Sequence, residues 1–99
     1  MKLKHTPGPW GCIHEVEDKV WIRHKNGVIC AIELHHNKPH DVLYANARLI
    51  AAAPKMLESL IHLIGEHFEL YGSYTYECRK AKEVIEKATG LKYEEVSDD

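Results

Sequence analysis

The sequence contains no long apolar run and few residues that build covalent frameworks. No stretch approaches the roughly 18 apolar residues of a membrane-spanning helix, and no apolar signal segment follows the initial Met-Lys-Leu-Lys. The three cysteines are odd in number and lack CxxC spacing, so we expect reduced thiols rather than disulfides. These absences predict a cytoplasmic protein that is neither secreted nor embedded in a membrane.

Catalytic and metal-binding signatures are also missing. There is no GxSxG, no HExxH and no glycine-rich phosphate loop. Three of the eight histidines, His35, His36 and His40, lie close together, but Pro39 opposes their presentation on one helix face and no cysteine joins them at zinc-finger spacing. We therefore predict neither an enzyme nor a metalloprotein, and no cofactor.

The charge is nearly balanced, with 13 Lys and Arg against 15 Asp and Glu. A protein held on DNA through phosphate contacts needs a basic surface, so DNA binding is not expected, although a local basic pocket for a small nucleotide stays open. The length of 99 residues suits one domain. We expect a sheet and loop over residues 1–41, a helical part over 42–91 and a frayed acidic tail over 92–99.

The first third of the chain has the two-residue alternation of short strands. Residues 10–16, 19–23 and 28–34 read as an antiparallel meander. Asn26 and Gly27 favour a tight hairpin turn because both tolerate positive φ. The alternation of the third strand then predicts that its apolar residues share one face: Val28, Cys30, Ile32 and Leu34.

From residue 42 onward the apolar period becomes helical. One stripe steps by three or four residues through Leu49, Ala53, Leu57, Leu60, Ile64 and Phe68, and it is widened by Ile50, Met56, Ile61 and Leu63. Pro54 interrupts this stripe and predicts a kink or a break, with a second segment opening at the proline. Ser73 or Thr75 can cap a last helix that stops at Gly90. The order of elements predicts an α+β fold, in which an antiparallel meander precedes two helices.

The length of the first helix suggests self-association. Residues 42–68 would span about 40 Å as a straight helix, whereas a compact chain of this length has a radius of gyration near 13 Å. Its apolar stripe exceeds what one small sheet and one further helix can cover, so we expect a homodimer or higher oligomer. The alternative is a monomer whose first helix folds back on the sheet at Pro54.

Two strings of the sequence stand out as candidate binding segments. The prolines of His5-Thr6-Pro7-Gly8-Pro9-Trp10 stiffen a loop that directs His5 and Trp10, and Trp10 either stacks on a ligand or begins the core of the first strand. In the segment 46–54, small alanines permit close approach, while Asn46 offers an amide and Arg48 a forked cation. That pair suits a base edge and a phosphate, and the alternative is ordinary helix packing with Arg48 in solvent.

These two strings together resemble a group of small bacteriophage and prophage proteins, over residues 5–64. Within that group the chain is similar to the viral Thoeris anti-defence proteins of the first kind. The resemblance implies a sheet followed by two long helices, assembly as dimers or higher oligomers, and sequestration of cyclic ADP-ribose isomers in the host cytoplasm without cleavage. A small phage interaction protein that masks a host factor is the alternative.

The resemblance implies a ligand-binding role first of all for Asn46, at the start of the helix. Arg48, His5 and Trp10 join it on the physical grounds given above. His36 or Tyr44 could serve as the aromatic group that stacks on the base.

Overall fold

The computed structural model describes residues 3–16, 18–34 and 39–97, with only the backbone described over 13–16. Three antiparallel strands form a sheet in the order β1-β2-β3. The elements are β1 (Gly11–Val16), β2 (Lys19–His24), β3 (Gly27–Glu33), α1 (His40–Tyr71), α2 (Tyr76–Thr89) and α3 (Tyr93–Ser97). The predicted α+β class, with a meander followed by helices, is confirmed, and a third, short helix is added to the two expected.

The turn between β2 and β3 lies one residue earlier than predicted. Lys25 and Asn26 form it, while Gly27 already pairs with His24 as the first residue of β3. Neither Asn26 nor Gly27 has a positive φ. The prediction of an Asn-Gly turn with two positive φ angles is therefore wrong. A turn with those two positive angles matches strand twist best, and the observed turn lacks them.

A bulge near this turn changes which residues of β3 face the core. Ile22 pairs with Cys30 but Arg23 pairs with Val28, so Ile29 is the extra residue. Between the bulge and the β2–β3 turn, this extra residue exchanges the side chains of β3 that face the core with those that face solvent. Val28 is consequently exposed rather than on the core face, and Ile29 packs against the core beside Cys30.

Helix α1 is continuous over its 32 residues, with Pro54 inside it. The chain does not break at the proline, so the predicted second segment is not a separate helix. The proline removes one backbone hydrogen bond from the helix interior. Its ring also packs closely against the N-terminal loop, because a Cβ placed on Gly8 would lie only 3.1 Å from Cβ of Pro54.

Helix α2 begins and ends at the predicted signals. The hydroxyl of Thr75 accepts a hydrogen bond from the backbone N–H of Cys78 at 3.2 Å. At the other end, Gly90 adopts the left-handed conformation and donates its N–H to the carbonyl of Glu86 at 2.8 Å. In both caps the two hydrogen-bonded groups lie within about one helical turn of each other along the chain.

The C-terminal segment is ordered as helix α3 rather than as the frayed acidic tail that its composition predicts. Tyr93 and Val96 are both buried, at 3% exposure each. Three residues separate them, so they share one face of this short helix. Because four of the eight residues in the segment 92–99 are acidic, its composition does not indicate that this apolar pair is buried.

The chain divides into two compact units, each with its own core. The N-terminal unit, Thr6–Lys55, is centred on Val20, Ile22 and Ala47. The C-terminal unit, Met1–His5 with Met56–Asp99, is centred on Ile61, Ile64, Ile85, Tyr93 and Val96. No described helix is both long and apolar enough to cross a membrane.

The predicted stripe of α1 is only partly buried: Ile64 belongs to it and lies in the core of the C-terminal unit, where Leu57 and Leu60 pack half-buried against the same cluster. Leu43, Ala47, Ile61 and Ile64 are the buried positions, whereas Leu49 and Phe68 at the two ends of the predicted stripe are exposed. Helix α1 carries apolar residues on more than one side, and the period alone could not identify which side its own core covers.

Candidate functional site

Helix α1 presents an apolar row to solvent. Every seventh position of it is a large apolar residue between 51% and 76% exposed: Val42, Leu49, Met56, Leu63 and Leu70. Because positions seven apart are two turns apart, these side chains follow one face of the helix. We call this set the heptad row. Its seven-residue spacing is visible in the sequence, but the predicted stripe includes members of this row together with core-facing residues and so does not distinguish the two sides.

An apolar groove of about 380 Å³ lies in the C-terminal unit, between α1 and α2. Leucines 60, 63 and 70 line it from α1, and Cys78 and Ala81 line it from α2. Two exposed carboxylates, Glu66 and Glu77, also line it. The groove therefore combines apolar contact surface with negative charge, and it includes the last two members of the heptad row.

Aromatic rings order the end of α1 that forms this groove. The ring of His67 lies 4.7 Å from that of Tyr71, and Phe68 stacks on Tyr74 at the same centroid distance. Tyr74 in turn meets Tyr93 of α3 edge to face at 6.4 Å. These pairs connect α1, the loop before α2 and α3 within the C-terminal unit.

Lys82 of α2 contacts two of these aromatic rings. Its Nζ lies 4.1 Å from the ring centroid of Tyr74 and 4.9 Å from that of Tyr93, which is cation–π distance. The ammonium also pairs with Glu94 at 3.4 Å. Burial raises the pKa of Tyr93, and the neighbouring Tyr74, Cys78 and Glu94 raise that pKa further. This hydroxyl is consequently held in its neutral form and donates to the carbonyl of Ile61 at 3.5 Å.

Two of the predicted ligand-binding residues lie at the core of the N-terminal unit. Trp10 and Tyr44 are half-buried and pack against the cluster of Val20, Ile22 and Ala47. The indole N–H of Trp10 donates to the carbonyl of Thr6 at 3.1 Å. This geometry corresponds to the alternative interpretation, in which Trp10 is the first core residue of the sheet.

The other predicted residues are on the surface. Asn46, Arg48 and His5 are exposed, and His36 lies outside the described residues. None of the predicted ligand-binding residues that the structure describes lines the groove in the C-terminal unit. In the described part of the chain, no three histidine, cysteine or acidic side chains are grouped so that they could hold a metal ion.

The comparisons place the chain among phage proteins. The model of a protein family described as Salmonella phage P22 protein Y8K6 matches residues 1–92. No curated protein and no solved structure matches the chain.

Proposed function

The chain belongs to the family of Salmonella phage P22 protein Y8K6, and from that premise we propose that this small phage protein acts by binding and masking another protein. The binding site is the groove between α1 and α2. One observation carries the proposal: the groove is apolar, open to solvent and lined by two carboxylates. Exposed apolar surface of this kind marks a contact site for another protein.

The chemistry of the groove selects the class of partner. Its leucines accept apolar side chains, and Glu66 and Glu77 attract positive charge while they repel phosphate. An amphipathic helix meets both requirements when basic residues flank its apolar face, since such helices bind by laying that face into a groove. The partner is therefore a host or phage protein with a basic amphipathic helix, and binding requires no catalytic group.

Two labelled peptides test this proposal. Both are amphipathic helices of about 18 residues with the same leucine face, flanked by lysine in one and by glutamate in the other. Fluorescence anisotropy should show binding of the lysine peptide only, and its affinity should fall as salt screens the carboxylates. Equal affinity of the two peptides would contradict the proposal.

Matched variants locate the binding surface. Leu63→Glu places a carboxylate in the groove and should weaken binding of the lysine peptide by about tenfold or more, which is about 1.4 kcal/mol. Val84→Glu makes the same change on α2 at 57% exposure, at a position that does not line the groove, and should leave binding unchanged. Equal losses in the two variants would show that the site lies elsewhere.

Sequestration of a cyclic nucleotide signal is the second candidate function. Asn46 and Arg48 are both exposed near the start of α1 but point to different sides of the helix, so each would contact a nucleotide separately, the amide at a base edge or the forked cation at a phosphate. Purified protein is incubated with cyclic ADP-ribose isomers, freed of unbound ligand and heated. This candidate predicts release of intact nucleotide from the unaltered protein and none from Asn46→Ala. Recovery of no nucleotide from the unaltered protein removes it.

A further inference from the structure

Helix α1 itself contains the kind of segment that the groove is proposed to bind, and this inference rests on that proposed function. The first half of α1 exposes Val42 and Leu49 of the heptad row, followed by Met56. Two exposed basic residues, Arg48 and Lys55, accompany them. Against one exposed acidic residue, Asp41, they leave this half of the helix with a net positive charge beside its apolar face, whereas the groove beside the second half is apolar and negative.

We propose that a second copy of the chain occupies the groove, with the two α1 helices antiparallel and the two-fold axis at Met56. This alignment sets Leu49 of one copy against Leu63 of the other, and Val42 against Leu70, because each pair is equidistant from Met56 along the helix. Every member of the heptad row then has an apolar partner. The contact is isologous and closes as a dimer.

Charge distinguishes this direction from the parallel one. In the antiparallel pair, Arg48 lies near the level of Glu66 of the second copy, so opposite charges meet on the same flank. A parallel pair would place the two copies of Arg48, and likewise the two of Glu66, on opposite flanks of the contact, so neither charge would meet its opposite. The antiparallel pair also brings the two exposed Lys55 side chains near the axis, but its two Arg48–Glu66 contacts outnumber that one repulsion. The distribution of charge along α1 therefore selects the antiparallel dimer.

The heptad row supplies more than half of the surface that a standard interface needs. Five heptad-row side chains, each more than half exposed, offer on the order of 500 Å² of apolar surface, against about 800 Å² per partner in a standard interface. Their flanks add exposed Ala45 and Ala53 and half-buried Leu60. The small alanine side chains also let the two helices approach closely.

The dimer regulates the proposed site. A second copy that fills the groove excludes any other basic helix, so a partner protein binds only by displacing it. Target binding and dimerisation are thus mutually exclusive, and each weakens the other by the same factor.

A pair of complementary variants tests the alignment. Leu49→Lys and Leu63→Glu each place a charge against leucine, so each protein alone should have a mass near 11.4 kDa by light scattering, while the unaltered chain has twice that mass. An equimolar mixture of the two variants should recover the dimer, since the introduced lysine of one then meets the introduced glutamate of the other and the second pair stays leucine on leucine. A mixture that stays monomeric, or an unaltered chain that is monomeric at about 100 μM, overturns the inference.

Circular dichroism shows whether each variant keeps its helices. If a variant has lost its helices, the antiparallel alignment is tested instead with the charge pair Arg48 and Glu66. Arg48→Glu and Glu66→Arg should each weaken the dimer several-fold, and the double variant should restore it. If both single variants dimerise as well as the unaltered chain, the antiparallel alignment is wrong.

The lysine peptide separates this inference from the function on which it rests. Leu49→Lys frees the groove without altering its lining, so it should bind the peptide more tightly than the unaltered dimer does. A monomeric unaltered chain that binds the peptide overturns the dimer alone. A dimer whose Leu49→Lys variant binds no peptide overturns the proposed groove function and leaves the pairing in place.

Discussion

Removal of the Tyr93 ring should strongly destabilise the C-terminal unit. The ring is 3% exposed, belongs to the core cluster with Ile61 and Ile85, and contacts Tyr74 and the ammonium of Lys82. Truncation of a buried aromatic side chain to alanine costs about 3–5 kcal/mol. A domain of this size has a total stability of about 5–15 kcal/mol, so Tyr93→Ala removes a large share of it.

Tyr93→Phe separates the ring from its hydroxyl. The hydrogen bond from the hydroxyl to the carbonyl of Ile61 is long, at 3.5 Å, so its loss should cost only about 0.5–1 kcal/mol. Urea unfolding followed by circular dichroism measures both changes. In thermal unfolding, Tyr93→Ala should lower the Tm by at least about 12 °C.

An exposed position provides the control for this series. Val84 lies on α2 at 57% exposure, and Val84→Ala should change the free energy of unfolding by no more than about 0.5 kcal/mol. If Tyr93→Ala costs less than about 1 kcal/mol, the ring is not part of the core. The C-terminal segment would then be the frayed tail that its acidic composition indicates.

Three further predictions concern the loop, the helix cap and alkaline pH. Gly8→Ala should cost about 1–3 kcal/mol in urea unfolding because its Cβ would meet Pro54 at 3.1 Å, whereas Gly11→Ala, with nothing within 4 Å, should cost less. Thr75→Ala should lower stability by about 1 kcal/mol and reduce hydrogen-exchange protection at the start of α2, through loss of its cap; unchanged protection would show the cap unused. Tyr93 keeps its proton in the folded chain above the usual pKa of about 10, while the unfolded chain loses it, so stability should fall as pH rises past 10 and should fall less steeply in Tyr93→Phe. Parallel pH profiles of the two proteins would contradict the raised pKa.

Features that depend on adjacent residues could be predicted from the sequence. Thr75 and Gly90 bound α2 because a hydroxyl and a left-handed glycine satisfy backbone groups three or four residues away. Strand alternation likewise located the three strands. The bulge at Ile29 escaped prediction because it depends on how the β2–β3 turn matches strand twist, which the residue pair Asn26-Gly27 does not determine.

Features that depend on distant residues could not be predicted in the same way. The burial of Tyr93 requires Ile61, 32 positions earlier, so no local pattern reveals it. On α1, the three-and-four stripe and the heptad row share apolar positions, and only the packing of each unit distinguishes the core side from the exposed side. The groove follows from that packing and has no local signal in the sequence, whereas the two unusual strings are recognisable from the sequence alone.

The close approach of Gly8 to Pro54 gives the two unusual strings a common structural role. A proline in a helix interior costs a backbone hydrogen bond, and its ring adds bulk on one side of the helix. A Cβ at position 8 would lie 3.1 Å from Cβ of Pro54 and would push the ring aside by a few tenths of an ångström, and Gly8 avoids that crowding. Trp10, two residues later, then enters the core of the same unit. The first string thus packs the N-terminal loop against both the sheet and α1. Binding partners are therefore expected on the face of α1 that these contacts leave exposed.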